Sequence, residues 1–589
     1  MKKNRTIFNI INTLIITVCP PSFAGENGST VTSNKVAPIV WQPCYTNDNP
    51  ALLCASYAVP LDYQARKNTV ESTKTIDIAL IKLPAANTSK KSLGSLFINP
   101  GGPGGSGVDW LRTAGRYSFS EEVRNSYDLI SFDPRGIHLS TPATCGMQIE
   151  NVAQYYTGVY FPSNPTQASD QIEKNKNFSA LCKENGNAIL QHMSTADVAK
   201  DMDIMRQAVG DPLLNYVGYS YGSYLGATYA NLFPERVGRF ILDGVLDPIE
   251  WSTGRGFSGW LIPVTKRLGG DKASLATLNE FLRLCDLAGA DNCHFAGNAA
   301  QRFDALANTI KTHPITLFAE DGTAFNVDTP LFITTVKGLL YNVLNWQGLA
   351  DLLAFTEAGV PPRIMGERYS KLMSLFSEDQ ALVIPFENGD VGFSSVLCSD
   401  SNNPRAPWIW PLAAAVADEQ NGYFGASWSW VSSICAHWPA NQLSRYSGPF
   451  NKRTRNTVLV TNTLFDPATS YAGAQTVRQL LPNSRLLTVA GWGHTTPGLS
   501  TCADSITATY LLTGELPNED TTCTQDTMPF IFTDEVDVFA GMPKTQHIPT
   551  IMRPRHLKSQ LTEREIKNRE IVMQAILRQV LPHTNKKSL

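Results

Sequence analysis

A serine, a histidine and an aspartate can together open an acyl bond at neutral pH. The histidine takes the serine proton, and the carboxylate holds the histidine in the tautomer able to do so and stabilises its cation. In this 589-residue chain the serine with the most telling surroundings is Ser220, in Gly218-Tyr219-Ser220-Tyr221-Gly222. Of nine histidines, His494 follows an apolar run near the end of the chain and is framed by Gly491 and Gly493, so its loop can reach over a neighbouring strand. Three aspartates compete for the acid. Asp243 and Asp247 follow one apolar segment and Asp466 follows another. Asp466 is preferred, because its separation of 28 positions from His494 leaves room for one helix between two strands.

The elements that must position these residues are legible around them. Leu213 to Val217 is a short apolar run of the kind that forms a buried strand, and Ser223 to Phe233 repeats small and apolar residues at helical spacing before Pro234. Strand, G-x-S-x-G and helix make a nucleophile elbow, with glycines where side chains would collide as the backbone reverses. The turn also puts the Tyr221 N–H at a helix start, facing a developing oxyanion. A second donor is expected from Pro100-Gly101-Gly102-Pro103-Gly104-Gly105-Ser106-Gly107, which follows the strand Leu96 to Asn99; Gly102 is the choice. This loop lacks the Lys-Ser/Thr of a phosphate-binding loop, and its prolines remove donors a phosphate would need.

Strands are expected over Ala55–Tyr63, Ile76–Leu83, Tyr127–Asp133, Val237–Leu242, Asn456–Asn462 and Ser484–Val489, and helices over Asp197–Val209 and Ser470–Leu481. Strands alternating with helices imply a mostly parallel, doubly wound sheet covered on both faces. Between about 250 and 440 the rhythm changes to helical patterns (Leu275–Leu287, Ala299–Thr312, Leu331–Val343), with a strand-like stretch near Ile315–Val327 and a Trp/Ser-rich part from Trp408 to Trp438. That is read as a large, mainly helical cap inserted between two core strands. The expected organisation is residues 1–24 as a signal peptide, 35–249 as the first part of the core, 250–440 as the cap, 441–540 as the rest of the core, and 541–589 as a basic tail.

Lys2, Lys3 and Arg5 precede an apolar run from Ile7 to Val18, and Ser22-Phe23-Ala24 offers a cleavage site, so export to the periplasm or the extracellular space is expected. Val18 disfavours lipidation of Cys19. Ten of the 11 cysteines then remain, and an even count in an exported chain favours disulfides over metal ligation. Near neighbours pair as Cys44 with Cys54, Cys145 with Cys182, Cys285 with Cys293, Cys398 with Cys435, and Cys502 with Cys523. The formal net charge is −3, and the leader contributes +3 of it, leaving −6, which excludes a nucleic-acid binder. Only the tail from Ile551 is basic, and Ile566, Ile571, Ile576, Leu577 and Val580 suggest a basic amphipathic helix there, the one candidate for membrane or partner contact.

Together, Trp41 to Cys44, Val59-Pro60-Leu61-Asp62-Tyr63, Asn99 to Gly104, Asp133-Pro134-Arg135-Gly136, Gly218 to Gly222, Asp243-Gly244-Val245, Asp466-Pro467 and Gly493-His494 resemble the secreted tripeptidyl aminopeptidases, α/β-hydrolases related to proline iminopeptidase. The resemblance covers about Trp41 to Cys523. It implies the α/β-hydrolase fold and a serine exopeptidase that releases short peptides, tripeptides in this family, from a free N-terminus, with the cap limiting access. It supports Ser220, Asp466 and His494 as the triad, Gly102 and Tyr221 as oxyanion donors, peptide substrates, and neither metal nor organic cofactor. A carboxylic-ester hydrolase on the same triad is the alternative, since triad and oxyanion hole serve esters and amides alike. His138 departs from the family, which has a second glycine there, so the loop must bend differently or an imidazole approaches the site. An aminopeptidase also needs a carboxylate for the substrate ammonium. Asp400 and Glu250 are the candidates.

Overall fold

The computed structural model describes residues 36–66, 69–86, 92–146, 160–318, 324–358, 386–519, 521–532, 537–539, 564, 567–568 and 571–572. The leader and most of the tail lie outside the described residues. Of the segment that ends at Ala37, only Val36 and Ala37 are described, and the chain from Pro38 onward forms one compact unit.

Its frame is a ten-stranded sheet. The strands are β1 (Gln42–Pro43), β2 (Leu53–Pro60), β3 (Thr75–Leu83), β4 (Ser95–Asn99), β5 (Asp128–Phe132), β6 (Leu214–Tyr219) and β7 (Val237–Asp243). After a hairpin outside this sheet, β8 (Ile315–Phe318) with β9 (Ala324–Val327), come β10 (Val458–Phe465), β11 (Ser484–Trp492) and β12 (Thr522–Thr524). The order is β1-β2-β3-β5-β4-β6-β7-β10-β11-β12. Only β1, β2 and β3 run antiparallel to their neighbours, and the rest is parallel. Every residue of β4 is buried. A strand covered on both faces carries a near-continuous apolar run instead of alternation, as Leu96-Phe97-Ile98 does.

The two glycine-bearing turns lie side by side because their strands do: β4 pairs with β6, with Asn99 opposite Gly218. β7 pairs with β6 on one side and β10 on the other, and β10 pairs with β11. The chain therefore leaves the sheet after Asp243 and returns in the adjacent strand. In between it forms mainly helices, the longest being Gly270–Ala288, together with the β8–β9 hairpin that the sequence read as one strand-like stretch. Its aromatic core, with Phe281, Trp346, Trp410 and Phe424, is continuous with Trp492 at the end of β11. The Trp492 indole donates to Glu280 at 2.8 Å. The helix Pro165–Asn185, the helix Thr501–Thr513 and the edge strand β12 had not been expected.

Arg135 of the Asp-Pro-Arg-Gly turn is fully buried and explains two of the motifs. It donates to Asp201 at 2.7 and 2.8 Å, and to the carbonyls of Pro60, Leu61 and His192. Tyr63 donates to the same Asp201 at 2.6 Å. One guanidinium thus ties the end of β2 to the helix Thr195–Ala208. Five disulfides join Cys44–Cys54, Cys145–Cys182, Cys285–Cys293, Cys398–Cys435 and Cys502–Cys523. Ile571 of the tail packs against the apolar cluster of the sheet, and Val572 is buried. No helix of the described residues is long and apolar enough to cross a membrane.

Candidate active site

Ser220 follows β6 directly and precedes the helix Tyr221–Leu232, with φ 56° and ψ −122°. That conformation strains a residue with a side chain by roughly 1–3 kcal/mol and persists only where the surroundings enforce it. They do. The Ser220 N–H donates to the Asp243 carbonyl at 2.8 Å, and the Ser223 hydroxyl donates to the Ser220 carbonyl at 2.6 Å. A methyl group on Gly218 would lie 2.2 Å from the Gly222 carbonyl oxygen, and one on Gly222 would lie 2.6 Å from the Asn99 carbonyl oxygen. Both positions exclude any side chain, which is the physical content of the motif.

The glycine-rich loop lies across this turn. Gly101 has φ 104°, and a methyl group there would stand 2.6 Å from the Tyr219 carbonyl oxygen, 2.9 Å from Ser220 Cβ and 3.3 Å from the Tyr221 nitrogen. Contact between loop and elbow is thus made at Gly101, one residue before the expected donor. Gly102, with φ 113°, is next, and among the described residues neither its N–H nor that of Tyr221 has a protein acceptor. The Asn99 side chain accepts from the Gly101 N–H at 3.0 Å. Buried Asp133 holds the far end, accepting from the Ser106 hydroxyl at 2.6 Å and the Val108 N–H at 3.1 Å. Burial raises its pKa to about 6 against the pull of these donors. His138, at φ 43°, hydrogen-bonds the Gly104 backbone; burial lowers its pKa while Asp109 opposes. His138 thereby braces the glycine-rich loop.

Asp466 follows β10 and His494 follows β11, neighbours in the sheet, so the topology brings the two together. His494 Nδ1 is 2.9 Å from each Asp466 oxygen. The carboxylate also accepts from the N–H groups of Ala468 and Thr469, each at 2.8 Å, and from the Thr469 hydroxyl at 2.7 Å. An acceptor-only group facing Nδ1 fixes the ring proton there and leaves Nε2 as the base. Nε2 is buried with no hydrogen-bond partner among the described residues. The ring is held from the other side by Tyr341, whose carbonyl accepts from the His494 N–H at 2.7 Å and whose ring meets the imidazole edge-on at 5.2 Å. Gly244 links this pair to the elbow: it follows Asp243, whose carbonyl holds Ser220, and a methyl group on it would be 3.3 Å from His494 Cε1.

The competing acids are engaged elsewhere. Asp243 accepts from the Thr496 N–H at 3.0 Å and the Thr496 hydroxyl at 2.6 Å, and burial raises its pKa to about 7. Asp247 caps the short helix Pro248–Trp251 and pairs with Arg255 at 2.8 Å. The structure places neither proposed amine-binding carboxylate open to a substrate. Asp400 is fully buried with Thr195 and Trp251 as donors. Glu250 lies between Arg255 at 2.6 Å and Arg267 at 3.4 Å. Sequence reasoning missed Thr469, Tyr341 and Thr195. Thr469 stands three residues after the acid, a turn spacing that could have flagged it, whereas Tyr341 and Thr195 reach the site only through tertiary packing.

Residues 94–286 match the model of the alpha/beta hydrolase fold family, and residues 421–523 match that of the TAP-like proteins. The chain is 27% identical to a tripeptidyl aminopeptidase of Streptomyces lividans, over 84% of this chain and 88% of that protein. It is 28% identical to serine protease Hip1 of Mycobacterium tuberculosis, over 82% and 91%. At 28% it also matches a carboxylesterase B of Mycobacterium tuberculosis, over 84% and 92%. With its parallel sheet and these relatives, the chain is a tripeptidyl aminopeptidase-like serine hydrolase with the α/β-hydrolase fold.

Proposed function

We propose that the protein is an exported aminopeptidase that releases short peptides, three residues long, from free N-termini through Ser220, His494 and Asp466. The observation that carries this reading is the His494–Asp466 pair, its Nε2 unengaged, beside a serine held at φ 56°. Ser220 Oγ attacks the scissile carbonyl carbon while His494 Nε2 takes its proton. The carbonyl oxygen, now negative, is met by the Tyr221 and Gly102 N–H groups. His494 then gives the proton to the leaving amine, the peptide bond breaks, and an acyl-serine remains. Water, deprotonated by the same nitrogen, releases the short peptide. No hydrogen bond joins Ser220 to His494 among the described residues, and such contacts commonly tighten only when substrate arrives.

The mainly helical chain between β7 and β10 acts as the cap in this reading, since Tyr341 from it touches His494. Residues 1–24 serve as the export signal, and five disulfides suit an oxidising compartment. Ester hydrolysis is the second reading, favoured by the likeness to a carboxylesterase. The test uses a fluorophosphonate probe beside a peptide anilide and a simple ester. Labelling and anilide hydrolysis that both vanish in Ser220→Ala are expected; anilide hydrolysis that survives in that variant overturns the reading, and ester turnover alone moves it to the second.

A further inference from the structure

Asp400 ends the helix Phe386–Asp400, in the chain between β7 and β10, yet it reaches the elbow. It is fully buried, and among the described residues the cation acting on it, Arg445, does so at longer range than an ion pair. Its Oδ1 accepts from the Thr195 N–H at 2.9 Å, and its Oδ2 accepts from the Thr195 hydroxyl at 2.5 Å and the Trp251 indole at 3.2 Å. The Thr195 oxygen is in turn hydrogen-bonded to the Tyr221 hydroxyl. The hydrogens can be counted. An ionised carboxylate only accepts, so the single Thr195 proton goes to Asp400, and the Tyr221 hydroxyl must donate to Thr195. The result is a directed chain, Tyr221 to Thr195 to Asp400, whose members polarise one another in the low-dielectric interior.

Tyr221 is the residue whose N–H faces the expected oxyanion. Its ring is also gripped by Trp251, with centroids 5.6 Å apart. Side chain and main chain of one residue at the start of a helix cannot move independently, so whatever fixes the phenol restrains the amide. We propose that Asp400 is a positioning residue of the oxyanion hole, acting through Thr195 and the Tyr221 phenol on the Tyr221 N–H. The proposal rests on the reading of Ser220 as nucleophile. It also accounts for a buried carboxylate without a direct ion-pair partner, which burial raises to a pKa of about 6 while its hydrogen bonds and the more distant Arg445 oppose: a charged acceptor holds its donors about twice as strongly as a neutral one. The Cys398–Cys435 disulfide, two residues before Asp400, anchors that end of the helix.

The test compares Tyr221→Phe, Thr195→Val and their double variant by kcat, KM and the rate at which a fluorophosphonate labels Ser220, with thermal melting as the control for folding. Removing the phenol hydroxyl should lower kcat and the labelling rate about tenfold with KM nearly unchanged, short of the ~10²–10³ that follows outright loss of a donor. The double variant should be no worse than the poorer single one, because both cut the same chain. Asp400→Asn, which keeps an acceptor, should retain more activity than Asp400→Ala. A folded Tyr221→Phe with wild-type kcat and labelling, or losses that multiply in the double variant, overturns the proposal. A wild-type protein that the probe does not label at all would instead overturn the reading of Ser220.

Discussion

Ser220 at φ 56° has little freedom: its N–H is bonded to Asp243, its carbonyl to Ser223, and glycines on both sides leave no room for another path. Ser220→Ala should abolish turnover, by about 10⁶-fold as for other triad serines, without lowering the melting temperature; residual hydrolysis near wild type would count against it. Asp466→Asn should cost about 10⁴-fold, since the amide NH2 would face Nδ1 and drive the ring proton onto Nε2, where the base is needed. The pH-rate profile and kcat of that variant are the check. Gly101→Ala should impair the loop-elbow contact, because its methyl group would fall 2.6 Å from the Tyr219 carbonyl oxygen in a backbone that has φ 104°. Loss of activity together with a lower melting temperature is expected there, unlike the serine variant. These residues were legible because each sits in a local pattern: a glycine pair around a serine, a glycine run after an apolar strand, a histidine between glycines.

At the scale of elements, legibility followed sequence distance. The strands beside the site begin within two residues of where their apolar runs put them, as β11 does at Ser484, while β10 and β11 each run three residues further than expected. The pairing Asp466–His494 needed only strand order. What the sequence could not reveal is what meets across long separations: Thr195 with Asp400, Tyr341 with His494, and the buried carboxylate of Asp400, whose type alone suggested an open binding role. The helix ending at Asp400 is fastened by Cys398–Cys435, which closes a separation of 37 residues. By chain entropy a loop of that size is worth about 3–4 kcal/mol. Cys435→Ser should therefore lower the melting temperature and, through the freed helix end, reduce kcat more than KM. An unchanged kcat in the folded variant would separate the disulfide from the site.

Among the described residues, burial raises six carboxyl pKa values: Asp133, Asp400 and Asp418 to about 6, Asp243 to about 7, and Asp201 and Asp211 above the ordinary carboxylate range. A carboxyl raised on folding keeps a proton that the unfolded chain has lost, so its effect on stability worsens as pH climbs from the unfolded value toward the folded one. His138, His192 and His437 are lowered by burial and act in the opposite sense, losing stability as pH falls below the ordinary histidine range. Asp243→Asn removes one term from the first set. Relative to wild type, its melting temperature should improve as pH rises from about 4 to about 7, the interval between the unfolded and the native pKa of Asp243. A constant difference between the two proteins over that range would show that Asp243 is ionised throughout.

The central claim concerns the reaction: a Ser220 acyl-enzyme formed from the first residues of a peptide with a free amine. The most direct measurement is the mass of the fragments released from one unmodified peptide and from its N-acetylated twin. Three-residue fragments from the free peptide, with the acetylated one intact, are the predicted result. Internal cleavage of both, or cleavage of neither beside hydrolysis of a small ester, would contradict it.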